Sequence, residues 1–448
     1  MNVIGIIAEY NPFHRGHEYQ IRKLRELCHA DYVVIAMSGN FVQRGAPALM
    51  DKYSRTQMAL HCGADLVLEL PALFATASAE CFARGGVALL NSTGIVTHLG
   101  FGAETDNGKL LAKLADILLE EPKPYQERLR QELKIGSSFP AARSAALLHY
   151  LDSQQSHDSS ATIDSAQLQD FTVSANFTTI QNACPAPAEI KDILAAPNNI
   201  LALEYLQALA ALHSDIIPAP IPRKGRGYHD KSLESGTLVT ESLNQEFCSA
   251  SAIRSYLRER CTQLPNTSMP QIAYEILDNY AHPFLSEDDF SQLLHYELLT
   301  DDIEQLAAWG DSSLELAHRL LTERERFTSW SSFCQHIKTK NITYARLSRL
   351  FTHMLLHIRQ EDYQRFPSPA YLRILGFRKA AAPLLTSLKK NSSLPIISNL
   401  ADADHLLPTK AAKLLAMDLR ASDLYRLCLN AKGDSTLKND YRQQIIRL

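Results

Sequence analysis

Apolar positions along the first hundred residues alternate between two spacings. Val3-Ile4-Gly5-Ile6-Ile7 is a short apolar run broken by Glu9-Tyr10-Asn11-Pro12-Phe13, after which Ile21, Leu24 and Cys28 recur at helical intervals from His17-Glu18 onward. That pattern predicts strand, loop, helix. The alternation repeats: Asp31 to Met37 reads as a buried strand ending at Ser38-Gly39, about 54 to 63 as a helix, and Ala64 to Leu70 as a strand stopped by Pro71. A further helix through Ala79 to Leu90 leads into His98-Leu99-Gly100-Phe101-Gly102. Strands alternating with helices predict an α/β fold with a doubly wound parallel sheet. Ligands in such sheets bind at the carboxyl ends of the strands, and His14, Ser38, Gly39, Gly102 and Glu104 all fall there.

The loop after the first strand carries the candidate chemistry. Asn11-Pro12 takes the chain out of helical dihedrals, and Gly16 allows close backbone approach where the helix begins. A helix start offers free N–H groups and a positive dipole end, so it suits a phosphate, and the imidazoles of His14 and His17 can both donate to one anion. The alternative reading is a surface turn that carries two histidines. No obvious covalent nucleophile is present, so the implied chemistry is positioning and charge stabilisation at phosphorus. A G-x-x-x-x-G-K-[ST] loop is absent, and Gly100-Phe101-Gly102 lacks the third glycine of a dinucleotide fingerprint, which argues against Walker-type ATPase and NAD readings.

Further along, residues 144 to 190 contain no lysine or arginine and are rich in Ser, Gln, Asp, Ala and Thr, as in a polar loop insertion at about 150–190. Pro197-Asn198-Asn199 precedes the apolar run Ile200 to Leu206, a helix with an asparagine N-cap. Pro222-Arg223-Lys224-Gly225-Arg226-Gly227-Tyr228-His229-Asp230 sets cations on a glycine-loosened loop. Ser249 to Arg254 places hydroxyls at a helix start with an arginine one turn in, which suits phosphates or is simply a serine cap. Pro265 and Pro270 mark a boundary, dividing the chain into a catalytic unit over 1–264 and an all-α unit over 265–448.

Charge changes that last picture. Residues 270 to 335 hold 13 Asp/Glu against 3 Lys/Arg, whereas 336 to 390 hold 11 Lys/Arg against 2 Asp/Glu. The basic block, with Tyr344, Tyr363, Phe366, Tyr371 and Phe377 interleaved, reads as a surface for a polyanion on which bases could stack; the alternative is that it pairs with the acidic block. Elsewhere composition is that of an ordinary globular chain: 448 residues, 46% hydrophobic, 21% charged and a net charge of −4. The 8 cysteines form no C-x-x-C pair or zinc-ligand cluster, and no bilayer-length apolar run or secretory leader is evident. The expectation is a cytoplasmic protein with reduced, packing cysteines, no membrane association and no evident protein partner.

His14-x-Gly16-His17 after the first strand resembles the H-x-G-H signature of the nucleotidyltransferase superfamily, and Ser249 to Arg254 resembles that superfamily's I-S-S-T-x-I-R element. The longer string Glu9 to His17, with Met37-Ser38-Gly39-Asn40-Phe41-Val42-Gln43-Arg44-Gly45, resembles the tRNA(Met) cytidine acetate ligase family, as does Pro369 to Phe377. The resemblance implies a Rossmann-like nucleotidyltransferase domain followed by helices. It implies acetate activation with ATP and Mg²⁺, no protein side-chain metal ligands, and acetylation of the wobble cytidine of elongator tRNA(Met). It implies His14 and His17 as catalytic residues. An ATP site is implied at Ile7, Ala8, Glu9, Tyr10, Asn11, Pro12, Phe13, His14, Arg15, Gly16, His17, Glu18, Tyr19, Gln20, Gly102, Asn198, Asn199, Arg223, Lys224, Ser251 and Arg254. Arg346, Arg349, Arg373, Arg378 and Lys379 are the candidate tRNA contacts. Two rival readings are an adenylyltransferase for a small phosphorylated metabolite and a catalytically silent tRNA-binding protein.

Overall fold

The computed structural model describes residues 1–105, 107–137, 139–157, 190, 193–222, 248–258 and 268–448. Arg223, Lys224, Tyr228 to Asp230 and nearly all of the 150–190 insertion lie outside the described residues.

Five apolar runs become parallel strands: β1 (Val3–Ala8), β2 (Tyr32–Ser38), β3 (Leu66–Leu70), β4 (His98–Ala103) and β5 (Ile217–Pro222). Their side chains alternate between two cores. Val3, Val34, Leu66 and Leu68 face one; Ile4, Ile6, Val33, Ile35, Met37 and Val67 face the other. Burial on both faces is why these strands read as continuous apolar runs instead of alternating ones.

The helices used below are α1 (Arg15–Leu27), α2 (Lys52–His61), α3 (Ala79–Ser92), α4 (Pro197–Ala211), α5 (Ala250–Arg258), α6 (Tyr344–Leu356) and α7 (Thr409–Ala431). α1 covers one face through Ile21 and Leu24, and α3 the other through Val87, Leu89 and Leu90.

The region beyond 265 is mostly helical, as expected, but helices alone do not describe it. Leu372–Phe377 forms β6, Ile396–Ile397 forms β7 and Ile446–Arg447 forms β8, completing an eight-stranded sheet in the order β8-β6-β3-β2-β1-β4-β5 with β7 beside β6. β6 runs antiparallel to β3, pairing Glu69 with Arg373 and Leu66 with Phe377. The apolar run Leu372 to Leu375 is long enough to supply a strand, and the open edge of β3 needs one; helical periodicity around it concealed both.

A second junction locks the helices to the sheet. The turn between Phe41–Val42 and Ala46–Pro47 holds Gly45 at φ +71°, pressed against the backbone of Ser348 and Arg349 in α6, and Ser348 donates to the Gly45 carbonyl. Any side chain there would strike α6. Among the described residues no disulfide forms: Cys28, Cys62, Cys248, Cys334 and Cys428 are buried as free thiols, and Cys81 is half-buried.

Candidate nucleotide site

The chain leaves β1, β2 and β3 in one direction and returns to place β4 on the other side of β1, so the sheet changes direction between β1 and β4. In doubly wound sheets that point, at the carboxyl ends of the strands, is where the ligand crevice lies. Ile4 pairs with His98 and Gly5 with Leu99, and the same register sets Gly102 opposite Ala8.

Beyond β1 the chain is fixed at every step. Tyr10 has φ +47° and the Asn11–Pro12 bond is cis. Asn11 Oδ1 accepts from Leu49 N at 2.8 Å, and its carbonyl accepts from Arg254 Nη1 at 2.6 Å. One carboxylate oxygen of Glu9 accepts from Gln43 N at 2.9 Å.

His14 then caps α1 through its ring. Its Nδ1 accepts from Gly16 N at 3.0 Å, while His14 N donates to His17 Nδ1 at 3.2 Å. An Nδ1 that accepts leaves the neutral ring's proton on Nε2. The two rings stack with centroids 3.7 Å apart, and Tyr10 and Phe13 pack on His17 at 4.8 and 5.4 Å. A Cβ on Gly16 would lie 2.8 Å from the His14 ring, so only glycine permits the arrangement.

α5 brings a cation to the same loop. Ser249 Oγ accepts from Ala252 N at 3.2 Å as the helix's serine cap, and Arg254 Nη2 donates to Ser251 Oγ at 3.1 Å. The structure thus unites residues 240 positions apart in the chain: the histidine turn, Ser251 and Arg254.

On the β4 rim the expected asparagine cap of α4 does not form. Ala196 is the N-cap, with Pro197 in the first turn. Asn199, buried, instead accepts from Glu104 N at 2.8 Å through Oδ1, and Asn198 donates to the Glu104 carboxylate. The pair ties α4 to the end of β4 and shapes the crevice wall.

Sequence reasoning missed Arg55. Fully buried, it donates through Nη1 to the carbonyls of Glu9 at 2.6 Å and Ser38 at 3.1 Å, through Nε to Met50 O at 3.0 Å, and through Nη2 to Gly39 O. One guanidinium therefore holds the carboxyl ends of β1 and β2 together. The available signal was the Asp51 cap of α2, whose Oδ1 accepts from Tyr53 N at 2.8 Å and puts Arg55 one turn inside that helix.

The candidate tRNA contacts separate. Arg373 is buried between Glu69 (Nη1 to Oε2, 2.8 Å) and Asp440 (Nη2 to Oδ2, 2.8 Å), beside Lys52, whose Nζ lies 2.7 Å from each of the same two carboxylates. It is not available to RNA. Arg349 makes a two-pronged contact with Asp311 at 2.9 and 2.9 Å, and Arg346 Nε donates to Asp311 O at 3.0 Å. The basic block therefore pairs in part with the acidic one. Phe366 and Tyr371 are core residues, so the expected stacking surface is absent at both. Arg378 and Lys379 remain exposed, beside Asp65 at the start of β3, on the sheet edge opposite the crevice.

The sequence pattern of HIGH Nucleotidyl Transferase matches residues 1–440. The tRNA(Met) cytidine acetate ligase of Clostridium perfringens is 37% identical over 426 residues, covering 95% of each chain, and that of Halothermothrix orenii is 36% identical with both chains covered fully. The crystal structure of Thermotoga maritima TmcAL without ligand superposes with a TM-score of 0.86 at 30% identity, and its complex with alpha-thio ATP with a TM-score of 0.85 at 29%, each covering both chains entirely.

Proposed function

The chain belongs to the HIGH nucleotidyl transferase family and, within it, to the tRNA(Met) cytidine acetate ligases; from that premise we propose how its crevice works. It is an ATP-dependent ligase that makes acetyl-AMP and passes the acetyl group to the wobble cytidine of elongator methionine tRNA. The observation that carries the reading is the pair of imidazoles capping α1 at the switch point, each Nδ1 accepting a backbone N–H, which in a neutral ring puts the proton on Nε2.

Acetate becomes a useful acyl donor only when its oxygen is joined to a good leaving group. Its oxygen attacks the α-phosphorus of ATP in line, the bond to the β-phosphate oxygen breaks, and pyrophosphate departs. Two anions must approach each other, so stabilising charge at that phosphorus is the main task. His14 and His17 donate to the α-phosphate, assisted by the first N–H groups of α1. Neutral rings suit the role, because two stacked imidazoliums 3.7 Å apart would repel.

Arg254 faces the leaving pyrophosphate, with Ser251 orienting its guanidinium. Mg²⁺ would lie on the triphosphate oxygens and neutralise the leaving group; among the described residues no three His, Cys, Asp or Glu side chains are grouped to hold a metal. In the second step the cytidine amine attacks the acetyl carbonyl, AMP leaves and the amine gives up a proton. We assign that proton to Glu9, whose carboxylate Gln43 fixes at the crevice. Replacing Glu9 with Gln should slow acetyl transfer to RNA more than acetate-dependent pyrophosphate exchange; an equal loss in both would remove the assignment.

The reading is tested by incubating the protein with ATP, acetate and methionine tRNA and analysing the digested nucleosides by mass spectrometry. Acetylcytidine that requires both ATP and acetate is expected. Unmodified tRNA, with pyrophosphate release from ATP driven instead by a phosphorylated alcohol, would overturn it.

A further inference from the structure

Arg349 and Arg373 are engaged by carboxylates of their own chain and Arg346 by a backbone carbonyl, which leaves open where an RNA backbone would rest. We propose that the segment Lys438 to Arg442, with the groove it borders, is an RNA-docking surface that holds the substrate while its loop enters the crevice; this rests on the tRNA reading above.

The groove has a volume of about 960 Å³ and runs between the C-terminal segment, Gln57 of α2 and the Ser398-Asn399 turn. Lys438, Arg442 and Arg447 line it, and among the described residues no Asp or Glu side chain does. Tyr441 also lines it and is 59% exposed, a large aromatic surface left in water between two cations. Cations that meet phosphates, interleaved with a ring on which a base can stack, are the elements of a surface for unpaired nucleotides.

Burial of Asp440 fixes this segment. Its Oδ2 accepts from Lys52 Nζ at 2.7 Å, Arg373 Nη2 at 2.8 Å and Ser422 Oγ at 2.9 Å, and Arg442 N donates to Asn439 Oδ1 at 3.0 Å. Lys438, Tyr441 and Arg442 are thereby displayed from a rigid base, at little ordering cost when RNA arrives. The anchor also sets their height. Asp440 shares Lys52 and Arg373 with Glu69, the penultimate residue of β3, so the segment stands at the carboxyl edge of the sheet, the edge that bears the crevice. Arg378 and Lys379 flank the other edge, near Asp65. Laterally, four strand steps separate β8 from β1, on the order of 20 Å. One RNA stem can rest on the groove while its loop occupies the crevice.

The test uses the full chain and labelled methionine tRNA titrated over a salt series, with acetate-dependent pyrophosphate exchange as a control for fold and chemistry. The double variant Lys438→Glu/Arg442→Glu should lose about tenfold or more in affinity and show a salt slope shallower by roughly 1.5 to 2. Tyr441→Ala should weaken binding about fivefold or more with the slope unchanged. Exchange should persist in both. Unchanged affinity and slope in both variants would overturn the groove and leave the catalytic reading standing. Loss of exchange together with affinity would also overturn it, marking the segment as part of the fold. A wild-type chain that fails to bind the tRNA would instead remove the reading on which the proposal rests.

Discussion

Two sets of cations sit at the carboxyl edge of one sheet and behave oppositely. At the first site, Arg254 donates to a carbonyl and a hydroxyl and the histidines turn their Nδ1 atoms to backbone amides. Under β3 and β6, Lys52 and Arg373 meet Glu69 and Asp440, two against two, with Tyr53 and Ser422 filling the remaining bonds. The cluster holds Lys52 and Arg373 above their ordinary pKa ranges and Asp440 below its own, through mutual charge. Cations matched by carboxylates hold the chain together; those bonded to the turn after β1 and to Ser251 order the proposed nucleotide site.

The largest effect expected from breaking this contrast is on stability. Arg373→Met leaves two buried carboxylates to Lys52 alone and should lower the unfolding free energy by about 3–5 kcal/mol in denaturant titrations, while the folded fraction keeps its rate of AMP formation. A crevice cation should do the reverse. Arg254→Lys removes the planar fork and should reduce kcat/KM for ATP by roughly 10- to 150-fold, equivalent to about 1.5–3 kcal/mol, with the thermal midpoint little moved.

Asn199→Ala lies between the two, since it strips the partner from the Glu104 amide at the end of β4. A stability loss of about 1–3 kcal/mol with a raised KM for ATP is expected. The smallest signal is a slope. Burial and then the nearby charge of Glu69 push the Asp418 carboxyl up to about 7, while it accepts from Ala72 N at 2.7 Å and Tyr371 Oη at 2.5 Å. A folded pKa above the unfolded value of about 4 means that folding favours the protonated form. Its contribution is complete below about pH 4 and is lost as pH rises through about 7. Asp418→Asn, always neutral, should show a flatter fall in stability between pH 5 and 8 than the wild type.

Local signals carried the first half of the fold. The strand runs, the Asn11-Pro12 break and His14-x-Gly16-His17 are each contained within a few residues, and the crevice follows from them once the sheet is doubly wound. Long-range partnerships were not legible. Arg373 in an apolar run between cations reads as a surface charge until Glu69 and Asp440, hundreds and tens of residues away, are placed beside it. Arg55 carries no signal beyond a capped helix, because its partners are backbone carbonyls that every residue possesses. Asn199 was recognised for its position, but its bond depends on a long-range contact between α4 and the end of β4. The short strand Ile446–Arg447 has only two residues, too few for any period to appear.

The central claim is that the imidazoles at the start of α1 hold the α-phosphate for attack by acetate. Exchange of labelled pyrophosphate into ATP, with and without acetate, in the wild type and His17→Ala tests it most directly. Acetate-dependent exchange in the wild type and a loss of about 10²- to 10³-fold in a variant with an unchanged unfolding midpoint is the predicted result. Undiminished exchange in His17→Ala would contradict it.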